Sequence, residues 1–263
     1  INGTLVGTGT VWANNSAGMA GLATGWHLGE FDRFRLAGCK SDDSMLGRSA
    51  VSGSASLGNK LLDASDIGIL NVTEPPFNVD NTGKTDVTQV LQRAIDYAVN
   101  ASLAVFFPHG NYLVSDTLVC RSHDSWNHVF GANGHESRWR PHVLLGDARL
   151  RPNITLAPNS TGFDRPKSPK YVVHFFTTNF GGNEQDNINF NQLIKGINVV
   201  ISEGNPGAVG IRHRAAQGSS IQDATIFAGD GFAGISGGMG SGGSPVNVQV
   251  VGGEYGAFME ACQ

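Results

Sequence analysis

Apolar and polar positions fall into a repeating order in the last third of the chain. Ile197-Asn198-Val199, Ile221-Gln222-Asp223 and Val246-Asn247-Val248 follow one another at spacings of 24 and 25 residues. A second row, Val209-Gly210-Ile211, Ala233-Gly234-Ile235 and Ala257-Phe258-Met259, keeps 24 and 24. Two rows sharing one period mark a solenoid, whose units bury their apolar faces only against one another. Each unit holds two short strand patterns and no helical period, which predicts an all-β parallel β-helix. Strand alternation turns Ile211, Ile235 and Met259 inward. It turns Arg212, Ser236 and Glu260 outward on one line, and Arg214, Gly238 and Cys262 on the next.

Upstream, the pattern changes character. Val87, Val90, Leu91, Ala94, Ile95 and Ala98 lie on one helical face, with Thr85 or Asp86 as the cap. Asn81-Thr82-Gly83 reads as a break before that helix. Strand patterns flank it at Ile67–Val72, Ala104–Phe107 and Tyr112–Val119, and return at Val143–Leu145, Asn153–Leu156 and Tyr171–Phe176. Residues 121–142 read as a polar loop carrying His123, His128, His135, His142, Trp126 and Trp139. The histidine spacings fit no metal motif, and no cofactor is implied. Residues 39–66, rich in Ser, Gly and Asp, read as a linker. Residues 1–38 read as a short β-rich arm. Its segment Gly21–Phe34 resembles the closing strands of a laminin-G-like jelly roll, of which 1–38 would be the tail. The remaining domain is 67–263, and both ends of the chain look cut.

Composition narrows the class. Thirty-six glycines among 263 residues, without a three-residue period, suit many tight turns and exclude collagen. A net charge of −4 with no Lys/Arg block argues against a nucleic-acid partner. No apolar run is long enough to span a membrane. Sequons at Asn2, Asn14, Asn71, Asn100, Asn153 and Asn159 favour a secreted, extracellular glycoprotein. Cys39, Cys120 and Cys262 are an odd set, read as buried free thiols. The dense glycines from Gly229 to Gly243 lack the ending of a phosphate loop and read as close turns between coils.

Residues 75–114 carry a family signature. Asp80-Asn81-Thr82-Gly83-Lys84-Thr85-Asp86, the helix around Ile95-Asp96-Tyr97-Ala98 and Phe107-Pro108-His109-Gly110-Asn111-Tyr112 resemble the opening of the pectate-lyase-like superfamily. That resemblance implies a right-handed parallel β-helix with one N-terminal capping helix. Gly210–Asp223 is similar to a segment of glycoside hydrolase family 55, the β-1,3-glucanases. Members of that family carry two β-helix domains, so this chain would hold the first, and its partners would be a polysaccharide and the missing second domain. The likeness gives Gln217 the part of placing the attacking water. His213-Arg214 depart from the residues usual there.

Glycoside hydrolysis needs two flanking carboxylates. Asp230 and Glu254 stand 24 residues apart in equivalent turns, with Glu203 one coil earlier. Together with Gln217 they are the catalytic candidates. The same acidic line would suit Ca²⁺ in a uronate lyase, or simply solvated turns. Arg212, His213, Arg214 and Glu260 are the substrate-binding candidates, the arginines by gripping acidic sugar. The expectation is a polysaccharide-acting glycoside hydrolase. A Ca²⁺-dependent lyase and a non-catalytic binding solenoid are the alternatives.

Overall fold

The computed structural model describes residues 68–122, 141–178 and 183–259. The proposed jelly-roll tail and linker, Glu260, Cys39 and Cys262, and the histidines and tryptophans of 123–139 lie outside them.

The first turn is β1 (Ile69–Asn71), β2 (Thr82–Asp86), α1 (Thr88–Ala101) and β3 (Ala104–Phe107). Two turns follow: β4 (Asn111–Val114), β5 (Leu118–Ser122) and β6 (Val143–Gly146), then β7 (Asn153–Leu156), β8 (Lys170–Thr177) and β9 (Leu193–Lys195). The last strands are longer: β10 (Asn198–Ile201), β11 (Ala208–Ala215), β12 (Ser220–Gly229), β13 (Ala233–Met239), β14 (Ser244–Gly252) and β15 (Tyr255–Met259). Every strand pairing is parallel. The strands form a ten-stranded sheet A and a five-stranded sheet B, ordered β15-β13-β11-β8-β5. The molecule is a right-handed parallel β-helix.

Identical registers stack side chains into internal ladders. Tyr112, Ile154, Val199, Ile226 and Val250 align through sheet A. Leu118, Val173, Ile211, Ile235 and Ala257 align through sheet B. Apart from the last coil these residues are buried. Each fully buried aliphatic side chain contributes about 1.5–3 kcal/mol.

The coil length differs from the sequence period in three places. Val199 stacks on Ile226, 27 residues on, and Ile221 stacks on Ile194, so Ile197 and Ile221 are not equivalent. In the next coil Gln222, rather than Ile221, faces Val246. Ile211 does stack on Ile235 at 24, but Ile235 then stacks on Ala257, and Met259 aligns with Gly237. Met259 continues the column of His213 and Gly237 rather than that of Ile235, and is 54% exposed in the last described coil. The cause is turn length, since one residue gained or lost in a turn shifts a row without changing its strand pattern.

Helix α1 buries Leu91, Ala94, Ile95, Ala98 and Val99, largely the expected face. Asp86 accepts the backbone N–H of Thr88 at 2.9 Å, although Val87 holds the cap position. The helix closes the first edge of sheet B. Gln92 donates to the Val119 carbonyl and accepts the Val119 N–H, at 2.9 and 2.8 Å, so β5 has no orphan amide there. Thr82 and Gly83 of the expected break instead open β2, with Gly83 at φ +76° absorbing the bend. The glycines near the end allow close coils. A Cβ on Gly240 would stand 2.6 Å from the Ala216 backbone.

Candidate carbohydrate site

The acids read from the sequence sit in successive turns but out of register: Asp230 follows the pair Gly229–Gly252, and Glu254 precedes the pair Ala233–Tyr255. The Glu203 carbonyl accepts the Asn159 N–H, the Asp230 carboxylate accepts the Gly204 N–H at 3.1 Å, and the Glu254 N–H donates to Gly231. Glu203, Asp230 and Glu254 are all exposed. One coil separates adjacent members, about 4.8 Å along the axis. Among the described residues no three acidic, His or Cys side chains gather as a metal site, so this line does not form the Ca²⁺ cluster that a lyase reading asks for.

Aromatic rings border the acidic ridge. Phe232, Tyr255 and Phe258 form a mutual trio with centroids 5.2–5.4 Å apart. Tyr255 and Phe258 are 41% and 40% exposed. The charge of Glu254, and a hydrogen bond to it, push the Tyr255 phenol above its usual value. Exposed ring faces beside carboxylates suit the apolar faces of sugar rings.

Gln217 does not join this group. It is exposed, and its amide stacks beside Gly240 at the far end of β13, while Asp230 and Glu254 precede β13 and β15. Seven strand residues intervene, roughly 23 Å of chain. Gln217 therefore shares no reaction centre with Asp230 and Glu254.

The substrate-binding candidates divide as well. His213 faces the core, fully buried, with its ring 4.8 Å from Phe175. Burial outweighs the nearby backbone carbonyls and lowers its pKa to about 3, so it is neutral and out of reach of any outer ligand. This corrects its assignment as a sugar contact: the strand alternation that turns Arg212 outward turns His213 inward. Ser236 aligns with Arg212 as expected, but Phe258 takes the place in that line given to Glu260.

Arg212 and Arg214 lie on the outer face of sheet B beneath residues the sequence reading missed. Glu184, beyond the end of β8, holds Arg212 at 3.2 Å and Arg214 at 3.0 Å through one oxygen. Its other oxygen accepts from His174 Nε2 at 3.2 Å. Arg214 also pairs with Asp186, and the Arg212 guanidinium lies 4.8 Å from the Tyr171 ring centroid. The His174 hydrogen bond, then the charges of His174 and Arg212, outweigh burial and hold Glu184 at about pKa 2. Burial keeps His174 below its usual value. Two guanidinium charges thus meet two carboxylates around the imidazole of His174. The arginine side chains are 5% and 29% exposed. They are saturated by protein partners, and Glu184 cannot serve as a general acid. Alternation along Tyr171–Phe176 gave a signal for His174. Glu184 sits in an irregular segment with none.

The family model for rhamnogalacturonase A/epimerase, pectate lyase-like proteins matches residues 69–263. The chain belongs to that family. This pectate-lyase-like membership agrees with the expected superfamily. A nearer kinship with glycoside hydrolase family 55 is not shown. No curated protein sequence matches the chain. Among solved structures it is similar to PfbA, a surface adhesin of Streptococcus pneumoniae, at 17% identity over 70% of this chain and TM-score 0.36. It is also similar to the Dettilon tailspike protein, at 12% over 70% and 0.28. A third, a candidate glycosyl hydrolase of Parabacteroides merdae, stands at 12% over 74% and 0.29. The chain spans 39% of each of the first two structures and 98% of the third. No helix among the described residues is long and apolar enough to cross a membrane.

Proposed function

We propose that this chain is the β-helix of a secreted glycoside hydrolase, glucan β-1,3-glucosidase-like. Polysaccharide lies against the ridge of Asp230 and Glu254, and these two carboxylates share the acid and base work. The supporting observation is their place in consecutive turns beside the Phe232–Tyr255–Phe258 trio, of which Tyr255 and Phe258 are exposed. Ring stacking would hold the sugar while the acids act on its bond.

A non-catalytic binding solenoid is the second reading. The closed Arg212–Arg214–Glu184 cluster favours it, because that cluster offers no free acid. Release of reducing ends from a β-1,3-glucan separates the two. The hydrolase reading expects turnover by the full protein and a loss of at least a hundredfold in both Asp230→Asn and Glu254→Gln. Glucan binding without turnover would select the second reading.

A further inference from the structure

Four of the sequons fall among the described residues, at Asn71, Asn100, Asn153 and Asn159. Their surroundings differ. Asn71 ends β1, the first strand in the order of sheet A, whose far edge meets no other strand among the described residues. Leu70 turns into the core, so Asn71 stands on the outer face, and β3 places Phe106 directly beside it in parallel register. Phe106 is half-buried between the buried Val105 and Phe107, so its ring also faces outward. An amide and an aromatic ring thus share one outer row, about 4.8 Å apart from strand to strand. Leu145 continues that row on β6.

The Asn71 amide is held by its own turn. Its oxygen accepts the Thr73 backbone N–H at 3.1 Å and the Thr73 hydroxyl at 2.9 Å. Its nitrogen donates to the Glu74 carboxylate at 2.8 Å. A primary amide nitrogen carries two hydrogens, and one bond to Glu74 uses one of them. Asn153 is placed otherwise. It lies between Asn111 and Asn198 in strand register, accepts from Asn198 at 3.1 Å, and has no ring on the adjacent strands of its row. The Asn159 side chain packs on Gly204, in the turn of the acidic ridge.

We infer that Asn71 is an N-glycosylation site whose first N-acetylglucosamine lies over the Phe106 ring. The inference rests on the secreted reading and names the residue that would carry the sugar. In the transfer, Asn71 Nδ2 bonds to C1 of the sugar and gives up one hydrogen as a proton. The C1–O bond to a lipid diphosphate breaks, and the diphosphate leaves with the electron pair. The second Nδ2 hydrogen still serves Glu74, and Thr73 still holds Oδ1, so the folded turn keeps each of these bonds. The apolar face of the sugar covers Phe106, and the glycan shields the open edge of β1.

Export of the full chain from yeast behind a yeast leader tests the site whatever its own source does with it. Glycopeptide mapping of the exported chain, and of any chain retained in the cells, should find Asn71 occupied in most molecules and Asn153 bare. Asn71→Gln and Thr73→Ala should each lose the mass of one glycan, since the sequon needs both side chains. Release of the Asn71 glycan from folded protein by a glycan amidase should be about fivefold faster in Phe106→Ala than in wild type. The two rates should be equal after denaturation. An unmodified Asn71 in both pools would overturn the site. Equal release from the two folded proteins would overturn the seat on Phe106. The secreted reading fails separately, by absence of the chain from the medium of the organism that makes it.

Discussion

Glu184 and His213 sit on opposite faces of the same sheet and give the protein two separable acid limbs. Glu184 is held at about pKa 2, below its usual 4.5, so its stabilisation is complete above 4.5 and fades as pH falls toward 2. His213 is held at about 3, below its usual 6.5. The unfolded chain takes up that proton below 6.5 while the folded chain does not, so stability falls as pH drops from 6.5 toward 3. Urea denaturation across this range should resolve both. Glu184→Gln should lose the limb below pH 4.5 and cost about 2–3 kcal/mol at pH 7, because Arg212 is left buried with a weaker partner. His213→Leu should reduce the limb between 6.5 and 4.5 and leave the share that His174 contributes. Identical acid limbs in wild type and variants would refute these assignments.

The ladders make a sharper test at the level of strands. Ile211 and Ile235 stack in the core, so replacing either with Ala should cost about 2–5 kcal/mol. Met259 is half exposed, and Met259→Ala should stay within about 0.5 kcal/mol. Equal costs at all three would restore the 24-residue alignment of Met259 with Ile235 and contradict the structure. Strand positions were readable in the sequence because β-branched runs between glycines reveal them without tertiary information. The register between coils was readable only where turn lengths were equal, as from Ile211 to Ile235. From Val199 to Ile226 the added residues sit in a turn with no hydrophobic signature, and the apparent repeat of Ile197 with Ile221 was a coincidence of spacing. The helix face was legible because Leu91, Ala94, Ile95 and Ala98 alone define it.

Across the molecule, two faces divide the chemistry. The flank of sheet B carries a neutralised arginine cluster and, at the turn before each strand, the acidic ridge with its aromatic trio. The flank of sheet A carries Phe106, Leu145 and Lys195 in one register, with Lys195 paired to Asp223. That Asp230 and Glu254 occupy successive turns was legible because both turns are short; their offset in register was not. The exclusion of Gln217 was not, since sequence spacing says nothing of which end of a strand a turn occupies. Glu184 was hidden for the complementary reason: its partners Arg212 and Arg214 are 28 and 30 residues away, and no motif joins them. The account rests on polysaccharide lying along the acidic ridge. Backbone hydrogen exchange of the full protein, with and without a β-1,3-glucan oligomer, reads this directly. Slowed exchange centred on residues 230–232 and 253–258 is the predicted result. Unchanged exchange there, with protection confined to other parts of the solenoid, would contradict it.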